Sequence, residues 1–220
     1  MNIIITGASR GIGFETAKLL SSENKVICIS RSAEKSKLKG IIPISFDFEK
    51  GNISKDLLPK IKKHFKTVDV LINNAAAFIK KPFRKLTRED FEKVYRVNVF
   101  SIAELTQAIL PLIHKGHILN IASMGGIQGS LKFPELSAYS SSKGALITLT
   151  ECLAEEFKGK KVSFNTIAFG SVQTEMLKKA FPGFKAPITA KEAAEFVANF
   201  AVNGNKYFNG KILQMALSTP

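Results

Sequence analysis

Tyr139 and Lys143 stand four residues apart in a stretch with helical patterning, so they share one face of a helix. Ser123 closes an upstream β-branched run, Ile121-Ala122-Ser123, followed by Met124-Gly125-Gly126. These three residue types suit carbonyl chemistry. Reducing a ketone requires a proton donor at the developing alkoxide, and a tyrosine hydroxyl can serve, although its unperturbed pKa is about 10. A neighbouring ammonium stabilises the phenolate and is expected to lower that pKa. A second donor must polarise the carbonyl oxygen, which suits a serine at a strand end. Tyrosine–lysine pairs at this spacing are also common on amphipathic surfaces, so the pair matters only in the setting of the elements before it.

The first of those elements is a glycine turn. Residues Thr6-Gly7-Ala8-Ser9-Arg10-Gly11-Ile12-Gly13 follow a short apolar strand and open a helix. Gly7 permits a tight turn, Gly11 lets backbone approach a pyrophosphate, and Gly13 lets helix and strand pack closely. The helix N-terminus then offers N–H groups and partial positive charge to phosphates. This is a dinucleotide-binding pattern in its required strand–turn–helix context. The second strand ends Ile29-Ser30-Arg31-Ser32. An acid there would accept from a ribose 2′-OH; an arginine can instead pair with a 2′-phosphate. Arg31, with Arg10 inside the turn, therefore points to NADP(H). The positive charge of the oxidised nicotinamide would add to the effect of Lys143 on Tyr139. Asp47, after the third strand, is either an acceptor for the adenine amino group or a turn cap.

Stepping outward, β-branched runs alternate with longer amphipathic stretches. Strands are expected at Asn2–Thr6, Lys25–Ser30, Ile41–Phe46, Val68–Ile72, His117–Ser123, Val162–Ala168 and Lys211–Met215. Helices are expected at Gly11–Ser22, Ile53–Phe65, Thr87–His114, Ala138–Lys158 and Ala190–Val202, with Thr87 and Asp90 forming a start signal for the third. The alternation implies an α/β fold, a Rossmann-type doubly wound parallel sheet with helices on both faces. No repeat or linker interrupts it, so residues 1–220 are read as one domain. Ligands should gather at the carboxyl ends of the strands.

Composition agrees with an ordinary globular protein: 45% of the 220 residues are hydrophobic, too many for a disordered chain. No apolar run is long enough to span a bilayer, and Ile3-Ile4-Ile5 leads directly into the glycine turn rather than forming a signal peptide. Cys28 and Cys152 are far apart and outside any CxxC spacing, so reduced, buried thiols and a cytoplasmic location are expected. The net charge of +14 admits an anionic partner, but lysines spread over solvated faces also account for it. No nucleic-acid-binding signature is present, and no membrane or nucleic-acid partner is expected. His64, His114 and His117 are not spaced as a metal site and are expected at the surface or at helix ends.

Taken together, these segments resemble the short-chain dehydrogenase/reductase family over essentially the full length, and locally its 3-oxoacyl-carrier-protein-reductase-type members. The matching segments are Thr6–Gly13, Asn73-Asn74-Ala75-Ala76, Asn98 in Val97-Asn98-Val99, Ser123, and Tyr139-Ser140-Ser141-Ser142-Lys143. The resemblance implies that Tyr139 is the acid/base and that Lys143 tunes it and binds the nicotinamide ribose. It implies that Ser123 binds the substrate oxygen and that Asn98 holds a water in a proton relay. Asn74 and Ala75, with Ser9 and Ile12 of the turn, join the implied cofactor contacts. So do Gly170, Val172 and Thr174, the last two at positions that bind the carboxamide and pyrophosphate.

The implied substrate is a small carbonyl or secondary-alcohol compound, with anionic and carrier-linked forms among the candidates, and reduction and oxidation use the same groups. A non-catalytic NADP(H)-binding sensor is the alternative, but such a protein has no need of Ser123, Asn98, Tyr139 and Lys143 together. Family members commonly pair through the two long helices, which implies a homotetramer or homodimer. The chain departs from the family at Phe169, where proline is usual, and at Ala76, where glycine is usual. Its lid segment from Glu175 to Pro187 is short, and the tail after Met215 lacks a glycine pair. Phe169 is expected to change the wall of the nicotinamide pocket. The basic segment Lys80-Lys81-Pro82-Phe83-Arg84-Lys85 is either a steering patch for anions or an ordinary lysine-rich loop.

Overall fold

Ile3, Ile4 and Ile5 of the first strand are all fully buried, because alternate side chains enter opposite cores. Ile3 and Ile5 join one apolar cluster and Ile4 the other. A strand buried on both faces must lie inside a sheet covered by helices. The computed structural model, which describes residues 1–33 and 38–217, places it there. The strands are β1 (Asn2–Thr6), β2 (Lys25–Ser30), β3 (Ile41–Ser45), β4 (Val70–Asn73), β5 (Gly116–Ser123), β6 (Val162–Phe169), β7 (Val172–Gln173), β8 (Ile188–Thr189) and β9 (Ile212–Met215). Seven of them form one sheet in the order β3-β2-β1-β4-β5-β6-β9, with every pairing parallel. This is a Rossmann-type doubly wound order, and its direction reverses between β1 and β4, where a crevice opens at the carboxyl ends. Pro43 is accommodated because β3 is an edge strand that can leave one ladder position without a donor.

The helices are α1 (Gly11–Leu20), α2 (Leu58–His64), α3 (Arg88–Tyr95), α4 (Ser101–Ile109), α5 (Ser137–Glu156), α6 (Glu175–Ala180) and α7 (Ala190–Asn203). α1 and α7 cover one face of the sheet, where Ala17, Leu20, Ala193 and Val197 pack on β1, β2 and β4. The other face carries Leu57, Ile61, Leu105 and Ile109.

Two long helices expected from periodicity are broken. Residues 53–65 begin with a wide π-type turn, Ile53–Leu57, before α2. Residues 87–114 start at the expected capping box, in which Thr87 Oγ1 accepts from Asp90 N and Asp90 Oδ2 accepts from Thr87 N. They then pass through a π-type turn, Arg96–Phe100, and end in a 3₁₀ turn at Leu110–Leu112, where Pro111 cannot continue the α-helical ladder. Periodicity missed the widened turns because one extra residue per turn barely disturbs the apolar pattern. It also missed β7, α6 and β8, which are too short to carry a period. β7 pairs with β8, so the lid segment is tied at its base.

Candidate active site

Ser123 ends β5 and Tyr139 stands in the first turn of α5, so each is delivered by a rigid element. The Ser123 hydroxyl accepts from Gly125 N at 3.2 Å, and its proximity to the Tyr139 hydroxyl acts to lower the tyrosine pKa. Gly126 allows the turn after β5 to lie directly on α5: a Cβ there would sit 2.7 Å from Gly144 N. Lys143, one turn on from Tyr139, is buried, with its Nζ 5.9 Å from the tyrosine ring centre. It donates to Ile121 O at 2.7 Å. Burial pulls its pKa down to about 8 because water no longer solvates the ammonium.

Tyr139 behaves differently from the sequence expectation. Its ring is partly exposed, yet its hydroxyl is deep enough that burial raises the pKa to about 12, with only the nearby Ser123 hydroxyl opposing the rise. The lysine ammonium is turned toward Ile121 O rather than toward the phenol. Before a cofactor is present, Tyr139 is therefore a firmly protonated acid.

Asn98 is fully buried in the π-type turn, which widens the helix just where the side chain must turn inward. Its Oδ1 accepts from Ala77 N at 2.8 Å, and its Nδ2 donates to Ala77 O and to Ser142 Oγ. It thus clamps the loop after β4 to α5. The described bonds include none to Lys143 or Tyr139. Phe78, next along that loop, packs on the Tyr139 ring with centres 4.8 Å apart. Sequence reading missed both Phe78 and Ser142, and only their adjacency to matched positions marks them out.

The residues expected to hold a dinucleotide lie together. Thr6 Oγ1 accepts from Asn74 N and Ala75 N, and Asn74 Nδ2 donates to Thr6 O and Gly7 O. This locks the glycine turn to the end of β4. Gly7 has φ +67, and a Cβ on it would meet Ala75 Cα at 2.7 Å. Gly13 makes room both for the Asn74 amide, which a Cβ would meet at 2.4 Å, and for the backbone just after β1, where Gly7 O would lie 2.7 Å away. Helix α1 starts with no side-chain cap and no acid in its first turn, so its N-terminal field is directed at the turn. Ser9 lies in the turn and Ile12 packs against the core beneath it.

At the end of β2, Ser30 Oγ is buried without a hydrogen-bond partner, beside exposed Arg31. An orphaned hydroxyl and an arginine at this place fit a polar, anionic group. Thr174 caps α6 and lies close enough to contact a Cβ on Gly11 at 3.7 Å. Val172 is buried below it, and Gly170 packs against Ala216.

Cys152 and His117 depart from expectation, and other residues have partners of their own. Arg10 is paired with Glu175 at 2.9 Å, so it ties the glycine turn to α6. Asp47 Oδ1 accepts from Glu49 N, which is the turn-cap role. Phe169 is turned into the core with α7 and does not act as a new pocket wall. Cys152 is exposed, not buried; Cys28 is buried, which raises its pKa to about 12. His64 and His114 are exposed, but His117 is fully buried on β5. Its two ring nitrogens meet Ala201 O and Asn165 Nδ2. The basic loop is also partly neutralised, with Lys81 on Asp90 at 2.6 Å and Lys80 near Glu135 at 3.6 Å. A groove of about 560 Å³ between the turn after β3 and α4 lies away from Tyr139, and its Arg96 is already paired with Glu104.

No helix among the described residues is long and apolar enough to cross a membrane. Residues 1–184 match the short chain dehydrogenase family. The chain is 28% identical to a 3-oxoacyl-[acyl-carrier-protein] reductase of Chlamydia muridarum, covering 96% of this chain and 94% of that protein. It is 30% identical to carbonyl reductase [NADPH] 2 of Sus scrofa, covering 80% and 73% of the two chains. In fold it is similar to a short chain dehydrogenase from Burkholderia cenocepacia solved in complex with NADP. That structure superposes with a TM-score of 0.86 at 24% identity, covering 97% of this chain and 95% of the other.

Proposed function

From the premise that the chain belongs to the short-chain dehydrogenase family, we propose that it is an NADP(H)-dependent reductase of ketones or 3-oxoacyl compounds. The observation that carries this reading is the cluster of Ser123, Tyr139 and Lys143 on two rigid elements, with buried Lys143 bonded to the end of β5 and its Nζ 5.9 Å from the Tyr139 ring centre. A sensor that only bound a dinucleotide would need the glycine turn alone. Tyr139 keeps its proton at neutral pH and so can act as the acid in reduction, and by microscopic reversibility the same groups serve oxidation.

The nicotinamide, when bound, supplies or accepts the hydride. The chain's own residues do the rest. Ser123 donates to the substrate oxygen and polarises the carbonyl. As negative charge grows on that oxygen, Tyr139 transfers its proton to it, and Lys143 stabilises the phenolate left behind. The resemblance assigns Asn98 a water that returns the proton; its clamp on Ala77 and Ser142 holds the loop and α5 in register for that role. In this reading Gly7, Ser9, Gly11, Ile12, Gly13, Asn74 and Ala75 form the dinucleotide cradle, with Gly170, Val172 and Thr174 on its far side. Arg31, Ser30 and Arg10 favour a 2′-phosphate, which requires Arg10 to leave Glu175. The 30% identity to an NADPH carbonyl reductase supports the same cofactor choice.

Tyr139→Phe tests the assignment. The variant is expected to retain NADPH binding by fluorescence titration and to lose turnover against a panel of ketones, aldehydes and oxoacyl thioesters. Activity above a few per cent of wild type would remove Tyr139 from the role of acid.

A further inference from the structure

Lys80 lies on the loop after β4, two residues beyond the phenylalanine that packs on Tyr139, and three contacts converge on its ammonium. Nζ is 3.6 Å from Glu135 Oε2, donates to Ala180 O at 3.1 Å, and sits 4.5 Å from the centre of the Phe181 ring. Ala180 ends the lid helix α6, and Phe181 follows it. Glu135 stands two residues before α5, in the turn that leads to Tyr139. One side chain therefore joins three segments that border the proposed substrate site: the loop carrying Phe78, the lead-in to Tyr139, and the lid.

The turn at Glu135 strengthens the case. It is the one described non-glycine residue with positive φ, at +69. A glutamate in that region is unfavourable unless its surroundings hold it. Here both of its ends are held by neighbouring lysines, since Lys81 N donates to Glu135 O at 2.9 Å while the carboxylate faces Lys80. The lid is in turn closed by apolar contact, with Phe133 edge-on to Phe181 at 6.5 Å. The other end of α6 is anchored by Glu175 on Arg10.

We propose that Lys80 is a positioning residue that clamps the lid to the lead-in turn of the catalytic helix. By holding Phe181 closed over the site, it sets how tightly the carbonyl substrate is retained. The inference rests on the reading of residues 175–187 as a substrate lid. It differs from both sequence readings of this loop, a steering patch or an ordinary lysine-rich surface, because the Lys80 ammonium is engaged by a carboxylate, a carbonyl and a ring.

The lid reports its own opening, because exposed Lys178, Lys179 and Lys185 are trypsin sites on it. Lys80→Met keeps the stem against Phe181 and removes the charge, whereas Lys80→Arg keeps the charge. Glu135→Gly drops the carboxylate while relaxing the positive-φ backbone. Each is compared with wild type by timed trypsin digestion with mass mapping of cuts after residues 178, 179 and 185, and by steady-state kinetics with a ketone. Removing a half-exposed ion pair and a cation–ring contact should speed lid cleavage about fivefold in Lys80→Met, and removing the ion pair alone should speed it about twofold in Glu135→Gly. KM should rise by a similar factor, kcat should stay within about twofold, and Lys80→Arg should restore both readouts.

Cleavage of Lys80→Met at the wild-type rate overturns the clamp. Faster cleavage with an unchanged KM, or a fall in kcat alone, overturns its role in holding substrate. A wild-type protein that turns over no carbonyl compound refutes the reductase reading, while the digestion still decides whether Lys80 holds the lid.

Discussion

His117 should make the fold acid-sensitive. Its side chain is fully buried, and its ring nitrogens meet Ala201 O and Asn165 Nδ2 between β5, β6 and α7. Burial pulls its pKa from 6.5 to about 4, with the bond to Ala201 O only partly opposing. The folded state thus holds a neutral imidazole over a range in which the unfolded chain binds a proton. Above pH 6.5 both states are neutral and the group adds nothing. As pH falls from 6.5 toward 4, the unfolded state gains protons that the folded state refuses, and stability drops. From these two pKa values the loss is about 2 kcal/mol at pH 5 and about 3 kcal/mol at pH 4. No solvent discount applies, since the ring is 0% exposed.

The assay is urea unfolding at pH 7, 6, 5 and 4 for wild type and His117→Asn. The asparagine cannot titrate, so the variant is less stable at pH 7 but should lose about 3 kcal/mol less between pH 7 and pH 4. Carboxylates such as Asp90, whose pKa is lowered first by the Lys81 ammonium and then by Thr87 of its helix cap, and Glu192, lowered by Thr189 of its cap, contribute equally to both proteins and cancel. Parallel stability profiles would show that His117 is protonated in the folded state, and the argument from its burial would fail.

Arg31→Ala should weaken NADPH binding by about 1.5–3 kcal/mol and leave NADH nearly unaffected, because a charge-assisted bond to the 2′-phosphate is lost; equal losses for both cofactors in a fluorescence titration would count against it. Reversing Arg84 and Lys85, the members of the basic loop with no carboxylate partner among the described residues, should lower kcat/KM for a carrier-linked substrate in a salt-sensitive way and spare a neutral ketone. A uniform effect across substrates and salt would make them ordinary surface. Light scattering at micromolar concentration should report a homodimer or homotetramer built on the faces of α4 and α5, and a monomer would refute that expectation.

The sheet and the grouping of Ser123, Tyr139 and Lys143 were legible in the chain because they rest on local rules. Buried strands read as continuous β-branched runs, the glycine turn has a backbone requirement that only certain residues meet, and Tyr139 and Lys143 share a face through helix periodicity alone. What depends on non-local contact was not legible. His117 sits in an apolar strand, but its burial follows from the meeting of Asn165 and Ala201 across the fold. The turn at Asn98 widens because that side chain must reach Ala77 and Ser142, a demand set 21 and 44 residues away. The high pKa of Tyr139 follows from burial of the hydroxyl, and that burial outweighs the lysine expected from spacing to lower it. Likewise Lys80 and Lys81 read as a basic patch until packing brings Glu135 and Asp90 to them. Charge along a chain is a sum over residue types, whereas a pKa, an ion pair or a clamp depends on distance and dielectric, and those exist only once the chain has folded.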